Sequence, residues 1–283
     1  YGIFAANYPL IEEDLKTIKL PNILQKNKNK LFGLSINPVR LQNIRDERRS
    51  NSGYASIDQC RKEVLLECSR QSVEMIIVPT VKSSLWGKAL ALSVEYAPIG
   101  VALGLHPYFI KEHLASDLLN LERMIESEGS IIGIGEIGLD ATVDDFSKQE
   151  GYFTEQLNLA DKYQLPVILH ARKAHAQIVE HLKEYSLIGG VVHAFSGSFE
   201  QLREYVKLGV YIGVGGVITF HRATKTRNAI AKAPLKFLLL ETDAPDMPVF
   251  GNAASKGRVE NSGALIKKSS PYDVLHVFES LCE

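Results

Sequence analysis

Five titratable residues stand at the ends of short apolar runs. His106 closes V-A-L-G-L-H, Glu136 follows I-I-G-I-G, His170 closes P-V-I-L-H, His193 closes G-V-V-H, and Asp243 follows L-L-L-E-T. Imidazole nitrogens and carboxylate oxygens together make the donor set of Zn, Mn or Mg sites. A carboxylate can also bridge two ions, and two ions about 3.5–4 Å apart can stabilise the attacking and leaving oxygens of a phosphoryl transfer. Each residue alone admits a plainer reading: a histidine satisfied by one buried hydrogen bond, an acid solvated at a strand end or capping the next helix. The recurrence favours the metal reading, because the C-terminal ends of parallel strands converge on one mouth.

The elements that must place these side chains alternate from Ile57 onward. Short apolar strands are expected at Met75–Thr80, Gly100–Leu105, Ile131–Gly135, Val167–His170, Gly190–His193, Tyr211–Val214 and Leu238–Glu241. Amphipathic helices are expected at Ile57–Gln71, Leu85–Glu95, Ser116–Glu126, Ser147–Tyr163, Ala174–Glu184, Phe199–Leu208 and Ala223–Lys232, with a last one at Pro271–Glu283. This alternation predicts βαβ units and a parallel α/β sheet, one strand short of a (β/α)₈ TIM barrel. Spacing puts the missing first strand near Arg45–Asn51, which is too charged for a barrel core. Residues 1–50 form a poorly determined N-terminal segment, with a helical turn at Glu13–Ile18 and a short strand at Leu31–Ile36 as its expected features. Residues 51–283 form the barrel domain. A polar loop at Pro245–Asn261 precedes the last helix.

Composition narrows the function classes. The chain has 283 residues, with Lys+Arg 32 against Asp+Glu 33 and a net charge of -1, so no global field attracts a polyanion and nucleic acid would need a local patch. Arg172, Arg222, Lys225 and Arg227 could supply one; for the last two, a solvated helix start is an equal reading. Ser196-Gly197-Ser198 could hold a phosphate at a helix start, with Ser198 as a plain N-cap the alternative. Gly213-Val214-Gly215-Gly216 lacks the spacing of a dinucleotide fingerprint and reads as close backbone packing. His175, His181, His221 and His276 read as surface or helix-face residues, and Trp86 as packing. Cys60, Cys68 and Cys282 form neither a disulfide framework nor a metal motif, which suggests a reducing cytoplasm. No apolar segment reaches the roughly 20 residues of a membrane span. The chain opens on Tyr1 rather than Met, as a fragment or trimmed chain would.

Beyond these properties, G-E-I-G-L-D at 135–140, P-V-I-L-H-A-R at 166–172, V-V-H-A-F-S-G at 191–197, I-G-V-G-G at 212–216 and L-L-E-T-D-A-P-D-M-P at 239–248 resemble the TatD family of metal-dependent deoxyribonucleases. The resemblance runs in order from about Ile57 to Met247, and R-A-T-K-T-R at Arg222–Arg227 is similar to one branch of the family. It implies a metal-dependent hydrolase barrel that cleaves phosphodiester bonds in DNA, often as a 3′-to-5′ exonuclease acting on single strands or 3′ ends, with two divalent ions (Mg, Mn or Zn). Carried over by motif, Glu136 would bridge the ions, His170 and His193 would bind one, and Asp243 would bind the other and orient the attacking water. His106 would lie at the mouth near the substrate, with Arg172 and Arg222 along a phosphate-binding rim.

One departure cuts against the full family site. The family's first strand ends in a His-x-His pair, whereas alignment backwards from Asp58-Gln59-Cys60-Arg61 puts Arg49-Ser50-Asn51 there, and no histidine precedes His106. A guanidinium cannot ligate a metal. One ion, held by Glu136, His170 and His193, or none, is then expected in place of two, with activity impaired. The abrupt end of the last helix reads as a shortened C-terminus. Two alternatives stay open: a catalytically inactive chain of the same fold, and a metal-dependent hydrolase of another ester or an amide. Oligomeric state is not legible.

Overall fold

Eight parallel strands follow one another around a single sheet in chain order: β1 (Leu31–Leu34), β2 (Val73–Pro79), β3 (Ile99–Leu103), β4 (Ile131–Asp140), β5 (Val167–Arg172), β6 (Gly190–Val192), β7 (Tyr211–Val214) and β8 (Leu238–Leu240). They come from a computed structural model that describes residues 31–34, 57–71, 73–244, 246–247, 249–250 and 269–283. Helices α1 (Ile57–Arg70), α2 (Trp86–Glu95), α3 (Ala115–Ser127), α4 (Phe146–Lys162), α5 (His175–Leu182), α6 (Phe199–Lys207) and α7 (Thr224–Ile230) fill the crossovers, and α8 (Val274–Cys282) ends the chain. Parallel strands joined through helices in unbroken sequential order make the TIM-barrel fold. No helix among the described residues is long and apolar enough to cross a membrane.

The first strand answers the spacing argument differently from expectation. Leu31–Leu34, read from sequence as part of a short strand, pairs in parallel with β2, Phe32 opposite Met75 and Leu34 opposite Ile77. The apolar L-F-G-L suits a barrel strand where the charged Arg45–Asn51 segment does not. Arg45–Asn51, the turn expected at Glu13–Ile18 and most of Pro245–Asn261 lie outside the described residues.

Burial explains the remaining elements. Strands β3 to β7 are buried along most of their length, with Val101, Ile134, Ile137, Leu169, Val192 and Ile212 sealed from solvent. Helix α4 buries Phe153, Leu157 and Ala160 on the face that also carries Gln149 and Gln156, seven residues or two turns apart. Ser198 is an N-cap, as one reading held. Its hydroxyl accepts from the Gln201 N–H (3.4 Å), and Gln201 Oε1 accepts from the Ser198 N–H (2.8 Å), a reciprocal box that starts α6. Trp86 is buried, its Nε1–H donating to the Gly104 carbonyl at 3.3 Å.

Strand β4 is longer than the sequence suggests. It continues through Glu136 to Asp140 because Gly138, at φ 140°, lets β4 and β5 approach closely; a Cβ there would lie 2.1 Å from the His170 carbonyl oxygen. Strand β5 runs on to Arg172 beside it, with Gly138 opposite His170. Strands β6 and β8 stop at Val192 and Leu240, leaving His193 and Glu241 just beyond them.

Candidate metal centre

Glu136 is fully buried within β4. Its N–H donates to the Thr80 carbonyl at the end of β2 (2.8 Å), and Gly104 admits it on the β3 side, where a Cβ would meet Glu136 N at 2.8 Å. Its Oε1 lies 3.2 Å from His106 Nε2, 3.0 Å from His170 Nδ1 and 4.0 Å from His193 Nε2. Ligand atoms of His106, Glu136 and His170 all lie within 4.8 Å of one another. Asp243, just past β8, brings Oδ2 to 3.7 Å from His193 Nε2. The five strand-end residues therefore meet in one cluster.

Outer partners fix which nitrogen of each ring faces inward. Glu241 Oε2 lies 2.9 Å from His193 Nδ1, and Glu241 Oε1 accepts from the Ala194 N–H at 2.7 Å. A proton on Nδ1 leaves the Nε2 lone pair turned toward Glu136 and Asp243. Asp140 Oδ2 sits 3.3 Å from His170 Nε2, while Oδ1 accepts from the Thr142 N–H (2.8 Å) and hydroxyl (2.6 Å), so His170 presents Nδ1. His106 differs. Its Nδ1 accepts from the Tyr108 N–H at 3.0 Å, which places its proton on Nε2, pointing at Glu136. As a donor there it is a poor ligand, although it stands in the cluster.

Sequence reasoning missed four of these supports. Glu241 was read only as the end of a strand, yet Gly213 and Gly215 make room for its carboxylate, since a Cβ on either would meet its oxygens at 2.8 and 2.9 Å. Asp140 was quoted only within a motif. Gln149 binds Asp140 through both main-chain groups (Oε1 from N–H 2.9 Å, Nε2 to carbonyl 3.1 Å), and Gln156 does the same for Leu105 (2.7 and 3.2 Å). Their spacing on one face of α4 was the available signal. His175, read as a surface or helix-face residue, lies on the buried face of α5, with Nδ1 3.1 Å from the hydroxyl of buried Tyr205, because α5 turns this face toward α6.

The electrostatics match a site built around positive charge. Burial alone would raise the Glu136 carboxyl, but the histidines facing it outweigh burial and hold it well below the usual range. Burial lowers His106, as expected for a neutral donor. For His170, hydrogen bonds to Asp140 and Glu136 overcome burial and raise it. For His193, the charges of Glu241, Glu136 and Asp243 overcome burial and push it up to about 10. Burial pushes Asp243 up to about 7, against the lowering effect of His193.

These residues fit one divalent ion. Glu136 Oε2 is buried with no hydrogen-bond partner among the described residues, which costs about 1–3 kcal/mol and is the position a cation would satisfy. Nδ1 of His170 and Nε2 of His193 face the same carboxylate, so three protein ligands with an open place are available. Among the described residues a second ion finds no such set; β1 is L-F-G-L, and no histidine precedes His106 in the sequence.

The rim residues take separate places. Arg172, at the end of β5, is 60% exposed along its side chain and reaches within 4.0 Å of Asp140 Oδ2. Arg222 is exposed, its guanidinium 5.4 Å above the Phe220 ring. Arg227, half-buried in α7, donates to the Ile218 carbonyl and lies 3.7 Å from Glu283, so its guanidinium is tied to the protein and is not the solvated helix start that one reading held.

Comparison with known proteins identifies the lineage. The profile of the family described as TatD related DNase matches residues 50–283. The chain belongs to the TatD family. It is similar to the uncharacterized metal-dependent hydrolase YjjV of Escherichia coli, 44% identical over 223 residues, covering 77% of this chain and 82% of that protein. The crystal structure of YjjV superposes with a TM-score of 0.71 at 42% identity, covering 78% of this chain and 83% of that one. The 3′-5′ ssDNA/RNA exonuclease TatD of Cronobacter turicensis is 34% identical over 201 residues, 69% of this chain and 76% of that protein. The chain is thus a member of a family of metal-dependent hydrolases.

A second similarity lies at the other end. The profile described as Kinase/pyrophosphorylase matches residues 1–84, and a putative phosphoenolpyruvate synthase regulatory protein of Shewanella loihica is 61% identical over 64 residues, 23% of this chain and 24% of that protein. The TatD match opens at residue 50, so β1 lies ahead of it, in the segment that resembles a different family.

Proposed function

We propose that this TatD-family chain hydrolyses phosphodiester bonds in single-stranded DNA, working from 3′ ends, with one divalent ion held by Glu136, His170 and His193. The observation that carries the reading is the buried Glu136 carboxylate, with Oε1 3.0 Å from His170 Nδ1 and 4.0 Å from His193 Nε2, Oε2 without a hydrogen-bond partner among the described residues, and each ring backed by its own carboxylate. A bound Mg, Mn or Zn ion would neutralise charge on the phosphoryl oxygens and acidify a water. Asp243, whose carboxyl lies near 7, is suited to take the proton of the attacking water at neutral pH. His106 donates Nε2–H to Glu136 and keeps its carboxylate oriented, while Arg172 and Arg222 bind phosphates along the strand. Loss of the His-x-His pair lowers metal affinity and rate relative to a two-ion site. The free thiols Cys68 and Cys282 suit a cytoplasmic location.

Incubation of the purified chain with Mn²⁺ and a 5′-labelled single-stranded oligonucleotide tests this reading. Progressive shortening from the 3′ end that Glu136→Ala abolishes is expected; no cleavage, or cleavage that survives Glu136→Ala, overturns it. A second reading, a catalytically silent chain of the same fold, is favoured by one observation: L-F-G-L of β1 stands where the family's ligand-bearing strand belongs. Metal binding without cleavage in the same assay would select it.

A further inference from the structure

Two exposed aromatic platforms lie on loops beyond the C-terminal ends of the strands. Among the large hydrophobic side chains exposed in the described residues, only Tyr108 (59%) and Phe250 (57%) are aromatic; the others are Leu, Ile or Val. Scattered exposed aliphatics need no explanation. Both aromatics, however, lie beyond C-terminal strand ends, Tyr108 in the loop after β3 and Phe250 after β8, against the loop that follows β7. Strands β3 and β7 are four apart in the order β1 to β8, and the TIM-barrel arrangement sets loops that follow such strands across the mouth from one another, with β4 and its Glu136 in the order between them.

Each platform is built rather than incidental. Tyr108 sits in a single 3₁₀ turn, Pro107–Phe109, immediately after His106. Its N–H is fixed to His106 Nδ1 at 3.0 Å, its ring packs edge-on against Phe109 at 5.1 Å, and Lys82 Nζ lies 4.7 Å from the centre of the Phe109 ring. Across the mouth, the Phe250 N–H donates to Thr219 Oγ1 at 2.8 Å. The Phe250 ring packs at 5.7 Å from Phe220 and 6.0 Å from His221, with the Arg222 guanidinium over Phe220. Aromatic faces paired with cations, on a chain whose net charge is only -1, suit an unpaired polynucleotide: bases stack on the rings and phosphates meet Arg222, while Lys82, ion-paired to Glu112 at 2.8 Å, backs the Phe109 ring.

We propose that the Tyr108 and Phe250 clusters are base-stacking platforms that hold a single-stranded nucleic acid across the mouth, one base on each side of the phosphate presented to Glu136. This deepens the phosphodiesterase reading and rests on it for the placement of that phosphate. The affinity of the platforms is measurable without metal.

Fluorescence anisotropy in the presence of a chelator, comparing a labelled oligothymidylate with an abasic oligomer of the same length, tests the proposal. The intact chain is expected to prefer oligothymidylate. Phe250→Ala and Tyr108→Ala should each weaken oligothymidylate roughly tenfold, leave the abasic oligomer unchanged and act together in the double variant; Tyr108→Phe should restore binding. The same losses are expected with oligouridylate, since the platforms hold bases and not sugars. Unchanged affinity in both alanine variants, equal loss on the abasic oligomer, or no base preference in the intact chain, including no binding at all, overturns it. Hydrolysis of bis(p-nitrophenyl) phosphate by the intact chain with Mn²⁺ judges the phosphodiesterase reading separately, because that substrate carries no base.

Discussion

Substitution of Glu241 by glutamine isolates the contribution of the outer carboxylates. The residue is fully buried, and Gly213 and Gly215 leave its head group just enough room, so an amide of the same size fits where a larger residue would not. The Ala194 N–H requires an acceptor at the Oε1 position, where it now bonds at 2.7 Å. The glutamine carbonyl must take that place, which turns its NH₂ toward His193 Nδ1, now 2.9 Å from the carboxylate. Nδ1 then has to accept, and the ring proton moves to Nε2, the nitrogen that faces Glu136 and Asp243 and that would ligate the ion. Loss of a carboxylate behind a ligating histidine lowers metal affinity about 10–100-fold. Titration calorimetry with Mn²⁺ or Zn²⁺ measures that loss, and ¹⁵N shifts of the imidazole report the tautomer. Unchanged affinity in Glu241→Gln, with the proton still on Nδ1, would refute the reasoning.

Four further substitutions have expected outcomes. Gln156→Leu strips the Leu105 N–H and carbonyl of partners at 2.7 and 3.2 Å and should destabilise the fold by about 2–4 kcal/mol in urea denaturation. Gly138→Ala should cost more than about 1 kcal/mol, since the new Cβ would meet the His170 carbonyl at a φ that favours glycine, whereas Gly87→Ala in α2, with nothing within 4 Å, should be neutral or stabilising. Burial lowers His175 to about 4, helped by the charge of Lys225. The unfolded chain takes up that proton below about 6.5 and the folded chain does not, so stability present above 6.5 is lost as pH falls from 6.5 to 4, by up to about 3 kcal/mol. Melting curves of His175→Gln should show a flatter acid limb across that window.

The fold and the inner cluster were legible because a barrel writes its order into the chain. Apolar runs such as V-I-L and G-V-V had to be buried strands, and the polar residue that broke each run marked the part of the chain that reaches the mouth, although β4 and β5 continue past Glu136 and His170. What escaped was set by contacts distant in sequence. The end of β4 was invisible because Gly138 looks like a strand terminator until β5 is seen against it. Glu241 and Asp140 are acids near strand ends like many others, and only the histidine nitrogens opposite them reveal their task. Gln149 and Gln156 read as ordinary polar positions of an amphipathic helix, yet each replaces a strand's missing main-chain partner. The first strand eluded the spacing rule because it comes from a segment similar to another family, which carries no histidine.

The claim on which the rest depends is that Glu136, His170 and His193 hold a single divalent ion. Equilibrium dialysis of the purified chain against Mn²⁺ or Zn²⁺, followed by elemental analysis, tests it most directly. One ion per chain is expected, lost in Glu136→Gln and in His193→Ala while both variants remain folded by circular dichroism. Two ions per chain, none, or one that persists in both variants would contradict it.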